Sequence, residues 1–162
     1  MGNRAIVVFV DDVSKPRHIS PAVYLHWNGG PESVYPFLDE LDRRRVRGEV
    51  EYECARFIHI VCDFFDQDAA GGLSIGASNG PAEISVDALH RYDPGDNGIY
   101  VVARHGGHRH VRRFTAPSDG PLVEFRCDAV DREQQEADRH VYNKGEETIA
   151  GKLQAMRLKI SE

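Results

Sequence analysis

Apolar positions change their spacing along the chain, and each change predicts an element. Residues 5–10, "AIVVFV", form a short apolar, β-branched run that predicts a buried strand. After a polar loop with two prolines, "AVYLHW" (22–27) alternates as a second strand. The alternation puts Ala22, Tyr24 and His26 on one face, and Val23, Leu25 and Trp27 on the other. The second set is the more apolar, so Trp27 is expected in the core. Asn28-Gly29-Gly30 is a breaker cluster able to take positive φ, and Pro31 suits a first helical position. Val34, Phe37, Leu38 and Leu41 follow at helical spacing, with Pro36 expected to kink the helix or delay its start. "RRRVRGE" (43–49) reads as a basic helix end closed by Gly48. The next helix is expected over 50–68, with Cys54, Phe57, Ile58, Val61 and Phe65 on one stripe and apolar residues around most of its circumference.

"LSIGA" (73–77) reads as a strand, and 82–98 is ambiguous between a short helix and a loop. Two strand-like runs, "IYVVARH" (99–105) and "HRHVRRF" (108–114), flank Gly106-Gly107 and predict a tight hairpin. "LVEFRCDAV" (122–130) predicts a further strand. Beyond it Ile149, Leu153, Met156 and Ile160 mark one helical stripe. Strands cluster and helices cluster without β-α alternation. The expected class is therefore α+β: a mostly antiparallel sheet of about five to six strands, two central helices on one face, and a C-terminal helix. The expected organisation is a single α+β domain over 1–130 and a C-terminal helical extension over 131–162. The domain is expected to fold without the extension, which would dock on it or on a second copy.

The composition suits this picture. Of 162 residues, 41% are hydrophobic and 28% charged, as in an ordinary globular domain. No apolar run approaches the roughly 20 residues of a membrane helix, and "MGNRAIVVFVDDV" lacks a signal-peptide pattern, so a cytoplasmic protein with no membrane partner is expected. Cys54, Cys62 and Cys127 are an odd number without a C-x-x-C, which reads as buried thiols in a reducing compartment. The net charge of −6 argues against non-specific nucleic-acid binding by the chain as a whole.

The candidate chemistry is sparse. His26 and Asn28 precede a helix N-terminus after two glycines, an arrangement able to hold a phosphate or carboxylate, although P-loop spacing and its lysine are missing. The plainer reading has Trp27 in the core, a turn at Asn28-Gly29-Gly30, and His26 as a hydrogen-bonded histidine. His59 and Asp63 are spaced i,i+4 with Arg56 and Tyr52 on the same side, either an acid–base pair or a structural hydrogen bond. His105, His108 and His110 are metal candidates without an acidic residue or cysteine close by in sequence. The same hairpin carries Arg104, Arg109, Arg112 and Arg113 with no acid between 99 and 118. It is either a solvated basic hairpin or a docking surface for a phosphate backbone or an acidic protein. No G-x-S-x-G, H-E-x-x-H or C-x-x-C pair occurs, and no cofactor is expected.

"MGNRAI", "YLHWNGG" followed by "ESVYPFLDEL", "ARFIHIVCDFF" and "DNGIYVV" resemble a group of short bacterial proteins often carried by prophages and other mobile elements. The resemblance spans about residues 1–114. It implies a context, a small accessory factor of a mobile element, and no mechanism. Such elements carry inhibitors of host defence, including anti-CRISPR proteins. The expected function is binding to a macromolecular partner, a protein of the host or of a defence complex, with nucleic acid as a further partner through the 104–113 hairpin. The alternative is a hydrolase acting on a phosphorylated small molecule, with His26 or the 105–110 histidines in its site. A third reading is a homo-oligomer assembled through the C-terminal helix.

Overall fold

A computed structural model describes residues 3–45, 47–65, 73–76, 95–115, 123–125 and 153. Strand β1 (Ala5–Val10) is apolar throughout and buried at every position. A strand of that kind belongs in the middle of a sheet with both faces covered. The other strands arrange themselves around it: β2 (Ala22–Leu25), β3 (Leu73–Gly76), β4 (Ile99–His105), β5 (His108–Thr115) and β6 (Val123–Phe125). The order across the sheet is β3-β2-β1-β4-β5-β6. Every pairing is antiparallel except β1 with β4, which is parallel, with Val8 opposite Val101. The sheet is thus mixed, and the one parallel pair among the described strands lies at its centre.

Helices α1 (Pro31–Arg43) and α2 (Val50–Phe64) cover one face. That face of the sheet supplies Ala5, Val7, Phe9, Val23, Leu25, Tyr100 and Val102. The helices contribute Val34, Phe37, Leu38, Leu41, Phe57, Ile60, Val61 and Phe64. The rings run in a chain Phe9–Phe57–Phe37–Phe64, with neighbouring centroids 5.2–6.2 Å apart in tilted and edge-on pairs, the geometry aromatic quadrupoles favour. The α2 stripe runs Val50, Glu53, Cys54, Phe57, Ile60, Val61, Phe64. Ile58 and Phe65, expected within it, are only partly buried at its edge. The helix is one-sided rather than apolar all round: Glu51, Tyr52, Ala55, Arg56 and His59 are exposed.

The opposite face buries Ile6, Val8, Val10, Ala22, Ile99, Val101, Ala103 and Phe114, with Val13 and Ile19 of the 11–20 loop packed on it. Asp11 holds that loop in place. Its Oδ1 accepts hydrogen bonds from the backbone N–H groups of Arg17 (2.8 Å) and His18 (3.1 Å). Ser20 fastens the far end, its hydroxyl accepting from the Phe9 N–H at 3.0 Å.

Three local expectations are corrected. Strand β2 stops at Leu25, so the alternation does not reach Trp27, which is 47% exposed instead of buried. The chain bends at 26–28, where Asn28 takes a φ of 58°, and this swings the indole away from the core. Helix α1 starts at Pro31, so Pro36 lies inside the helix and does not delay its start; it has no N–H to give to Glu32. The helix is closed not by Gly48 but by Arg45, which takes the left-handed conformation (φ 50°) and donates its N–H to the Asp42 carbonyl at 3.0 Å.

The ambiguous stretch over 82–94, Cys127, and the C-terminal stripe other than Leu153 lie outside the described residues. Leu153 itself is helical and 2% exposed, within the core cluster of the helix face.

Candidate functional site

The motifs around Asn3, Asn28 and Asp96 are distant in sequence and converge at one end of the sheet. Gly29 donates its N–H to the Asn3 carbonyl (2.7 Å), and Tyr100 donates its hydroxyl to the Gly29 carbonyl (3.1 Å). Asn97 donates its backbone N–H to the Arg4 carbonyl (2.9 Å) and its side-chain amide to Asn3. Asn3 in turn donates to Glu32 Oε1 at 3.2 Å. Gly29 lies so close to β1 that a Cβ there would sit 2.6 Å from the Ala5 backbone nitrogen. Asp96 receives the Arg4 guanidinium at 3.3 Å, and this pair holds the carboxylate's pKa below its ordinary 3.8.

That knot also decides the fate of His26 and Asn28. The N-terminus of α1 already has its anion, because the Glu32 carboxylate folds back against Gly30. His26 Nδ1 shares a hydrogen bond with the Tyr24 hydroxyl at 3.2 Å, and its ring meets Trp27 edge-on at 5.1 Å. Asn28 supplies a left-handed turn.

The hairpin forms as the sequence predicts. Gly106 and Gly107 turn with φ of 58° and 82°, and His105 faces His108 across the strands. Its arginines, however, are already engaged within the fold. Arg104 and Arg109 point toward the helices. Arg104 pairs with Glu53 (2.6 Å) and Asp42, and Arg109 pairs with Asp42 and, at 3.6 Å, Asp39. The Arg109 side chain is only 9% exposed, and burial lowers its pKa while Asp39 pulls the other way. Arg112 donates to the Val13 carbonyl (2.8 Å) and lies over the Phe114 ring. Arg113 donates to the Asn97 carbonyl (2.8 Å) and lies over Tyr100. The absence of acid within 99–118 therefore says little about this hairpin, because its acids come from α1 and α2. His105, His108 and His110 lie on the other face, around the turn. Among the described residues, no three His, Cys, Asp or Glu side chains come together to hold a metal.

A different basic surface emerges at the α1–α2 connection. Arg44, Arg45, Arg47, Tyr52 and Arg56 line an open cavity of about 340 Å³. Arg44 is tethered to Glu40 (3.0 Å) and Asp63 (3.7 Å). Asp63 also meets His59 at 3.3 Å, so the i,i+4 pair seen in the sequence exists and is joined to Arg44 through Asp63. Arg45, Arg47 and Arg56 have no carboxylate partner among the described residues. Tyr52 is 50% exposed between them, with the Arg47 guanidinium 6.0 Å from its ring centre. The sequence signal was present in "RRRVRGE" and in the Tyr52–Arg56 spacing. Along the chain it reads as a helix end and a helix face, because nothing in either segment shows that the turn folds one onto the other.

No known protein family, curated protein or solved structure matches the chain. Among the described residues no helix is long and apolar enough to cross a membrane.

Proposed function

We propose that this protein is a binding protein that docks on an anionic macromolecular partner through the concave surface of Arg44, Arg45, Arg47, Tyr52 and Arg56. The observation that carries the reading is the contrast between two sets of arginines. Those of the hairpin are engaged by Asp39, Asp42, Glu53 and backbone carbonyls, whereas Arg45, Arg47 and Arg56 have no carboxylate partner among the described residues. Positive charge gathered without carboxylate partners among the described residues, in a chain of net charge −6, is available for another molecule. A small accessory factor of a mobile element, such as an inhibitor of a host defence system of the anti-CRISPR type, would act in this way. The C-terminal helix, in this reading, belongs to the fold rather than to the docking surface.

The test is affinity capture from the host with the tagged chain, compared with the Arg45→Glu/Arg47→Glu/Arg56→Glu variant and with both proteins checked by circular dichroism. An acidic protein or nucleic acid that is retained by the native chain and lost by the folded variant supports the reading. Equal capture by both sinks it.

A further inference from the structure

Resting on that reading, we infer that the α1–α2 concavity is a nucleotide subsite: it takes an aromatic base on Tyr52 and the attached phosphates on the surrounding arginines, and its occupant is single-stranded nucleic acid.

Three features distinguish this from a generic basic patch. The first is the placement of an aromatic ring. Tyr52 stands half exposed in the wall of the cavity, on the outer face of a helix whose opposite face is packed with phenylalanines. A tyrosine contributing to the fold would be turned inward. One turned outward among guanidinium groups offers a π-face for stacking, and sequence-tolerant binding of single strands combines such faces with a positive groove. The Arg47 guanidinium, at 6.0 Å from the ring centre, is at the outer limit of cation–π contact and leaves the ring accessible.

The second feature is the kind of cation. All four charged residues lining the cavity are arginines. A planar guanidinium donates two parallel hydrogen bonds to phosphate oxygens and also stacks on bases, which a lysine ammonium does not. Arg44, held by Glu40 and Asp63, forms a wall of the cavity, and the phosphate is left to Arg45, Arg47 and Arg56.

The third feature is size. A volume of about 340 Å³ lies at the lower end of small-ligand sites, roughly 300–1,000 Å³. That is room for one nucleotide unit. It is not the broad surface of roughly 800 Å² per partner that a stable protein interface covers. A duplex is a poor occupant as well, since its bases are stacked on one another and its faces are closed to Tyr52.

The experiment is fluorescence anisotropy with labelled oligothymidylate and oligouridylate of about twelve nucleotides, a duplex of the same length, and labelled polyglutamate. The proteins are the full chain, Tyr52→Ala, Tyr52→Phe and Arg47→Gln/Arg56→Gln. Binding of the single strands, weakened roughly 5- to 100-fold by Tyr52→Ala and retained by Tyr52→Phe, is the expected result. Both arginine replacements should lower the affinity and flatten its salt dependence. Competition by adenosine monophosphate distinguishes the sources of the ligand. A strand held over several contacts resists it, whereas displacement at equal concentration identifies a free nucleotide and overturns the single-strand occupant. If duplex and polyglutamate bind as tightly as the strands and Tyr52→Ala changes nothing, the nucleotide subsite is wrong while an anionic partner remains. If no polyanion binds at low salt, both fall.

Discussion

Trp27 and Asp96 show how much one residue's surroundings decide. The indole is nearly half exposed and meets the His26 ring edge-on, so Trp27→Ala is expected to cost no more than about 1 kcal/mol in urea unfolding. A buried tryptophan would cost roughly 3–5 kcal/mol, and a loss of that size would show that the indole belongs to the core. Asp96 shapes the response to acid. Its hydrogen bonds from the Arg4 side chain and backbone hold its folded pKa below the ordinary 3.8. Because the depressed value is the folded one, the stabilisation is present above the unfolded pKa and is lost as pH falls through the folded pKa. The stability gap between the native chain and Asp96→Asn should therefore close as pH drops below about 4. Asp11 acts in the same direction. Burial raises its pKa, but the backbone N–H groups of His18, Arg17 and Asp12 outweigh that and leave it lowered.

At the scale of elements, the junction between the hairpin and the helices is electrostatic where the rest of the helix–sheet interface is apolar. Arg104 and Arg109 are cross-strand partners; Arg104 reaches acids of both α1 and α2, and Arg109 reaches two acids of α1. Reversing Arg109 would bury a carboxylate against Asp39 and Asp42, so Arg109→Glu should destabilise by about 3 kcal/mol. Arg56→Glu, on the exposed side of α2, should change stability by less than about 0.5 kcal/mol while weakening polyanion binding. Thermal unfolding of the two variants side by side checks the assignment of one arginine to the fold and the other to the surface. The reverse pattern would return the docking role to the hairpin.

For the whole molecule, the informative residue is Leu153. It is the one described residue beyond Phe125, and it is buried in the core cluster of the helix face. Deleting most of a buried leucine leaves a cavity, so Leu153→Ala should cost about 2–4 kcal/mol. A truncation after residue 130 should lose at least as much, and urea unfolding of both forms measures it. Sedimentation at increasing concentration separates a contact within the chain from a contact between copies. If Leu153 packs on its own chain, Leu153→Ala lowers stability without changing mass.

Elements governed by local pattern were legible in the sequence. The run "AIVVFV" makes the central strand, Gly106-Gly107 turns the hairpin, and Val34, Phe37, Leu38 and Leu41 form the buried stripe of α1. Each rests on a period or a backbone preference that a few neighbouring residues determine. The parallel pairing of β1 with β4 did not follow from pattern, because strand direction depends on where the chain re-enters the sheet some ninety positions later. The same holds for charge. Counting acids along the sequence made the 104–113 hairpin look unpaired and the 43–47 run look like a helix end. Folding brought Asp39, Asp42 and Glu53 to the first, and left Arg45, Arg47 and Arg56 around Tyr52 without a carboxylate partner among the described residues. Coulomb interactions act over a few ångströms of space whatever the separation along the chain. The composition of a segment therefore determines how much charge it carries, and only the tertiary structure decides which charges remain available for a partner.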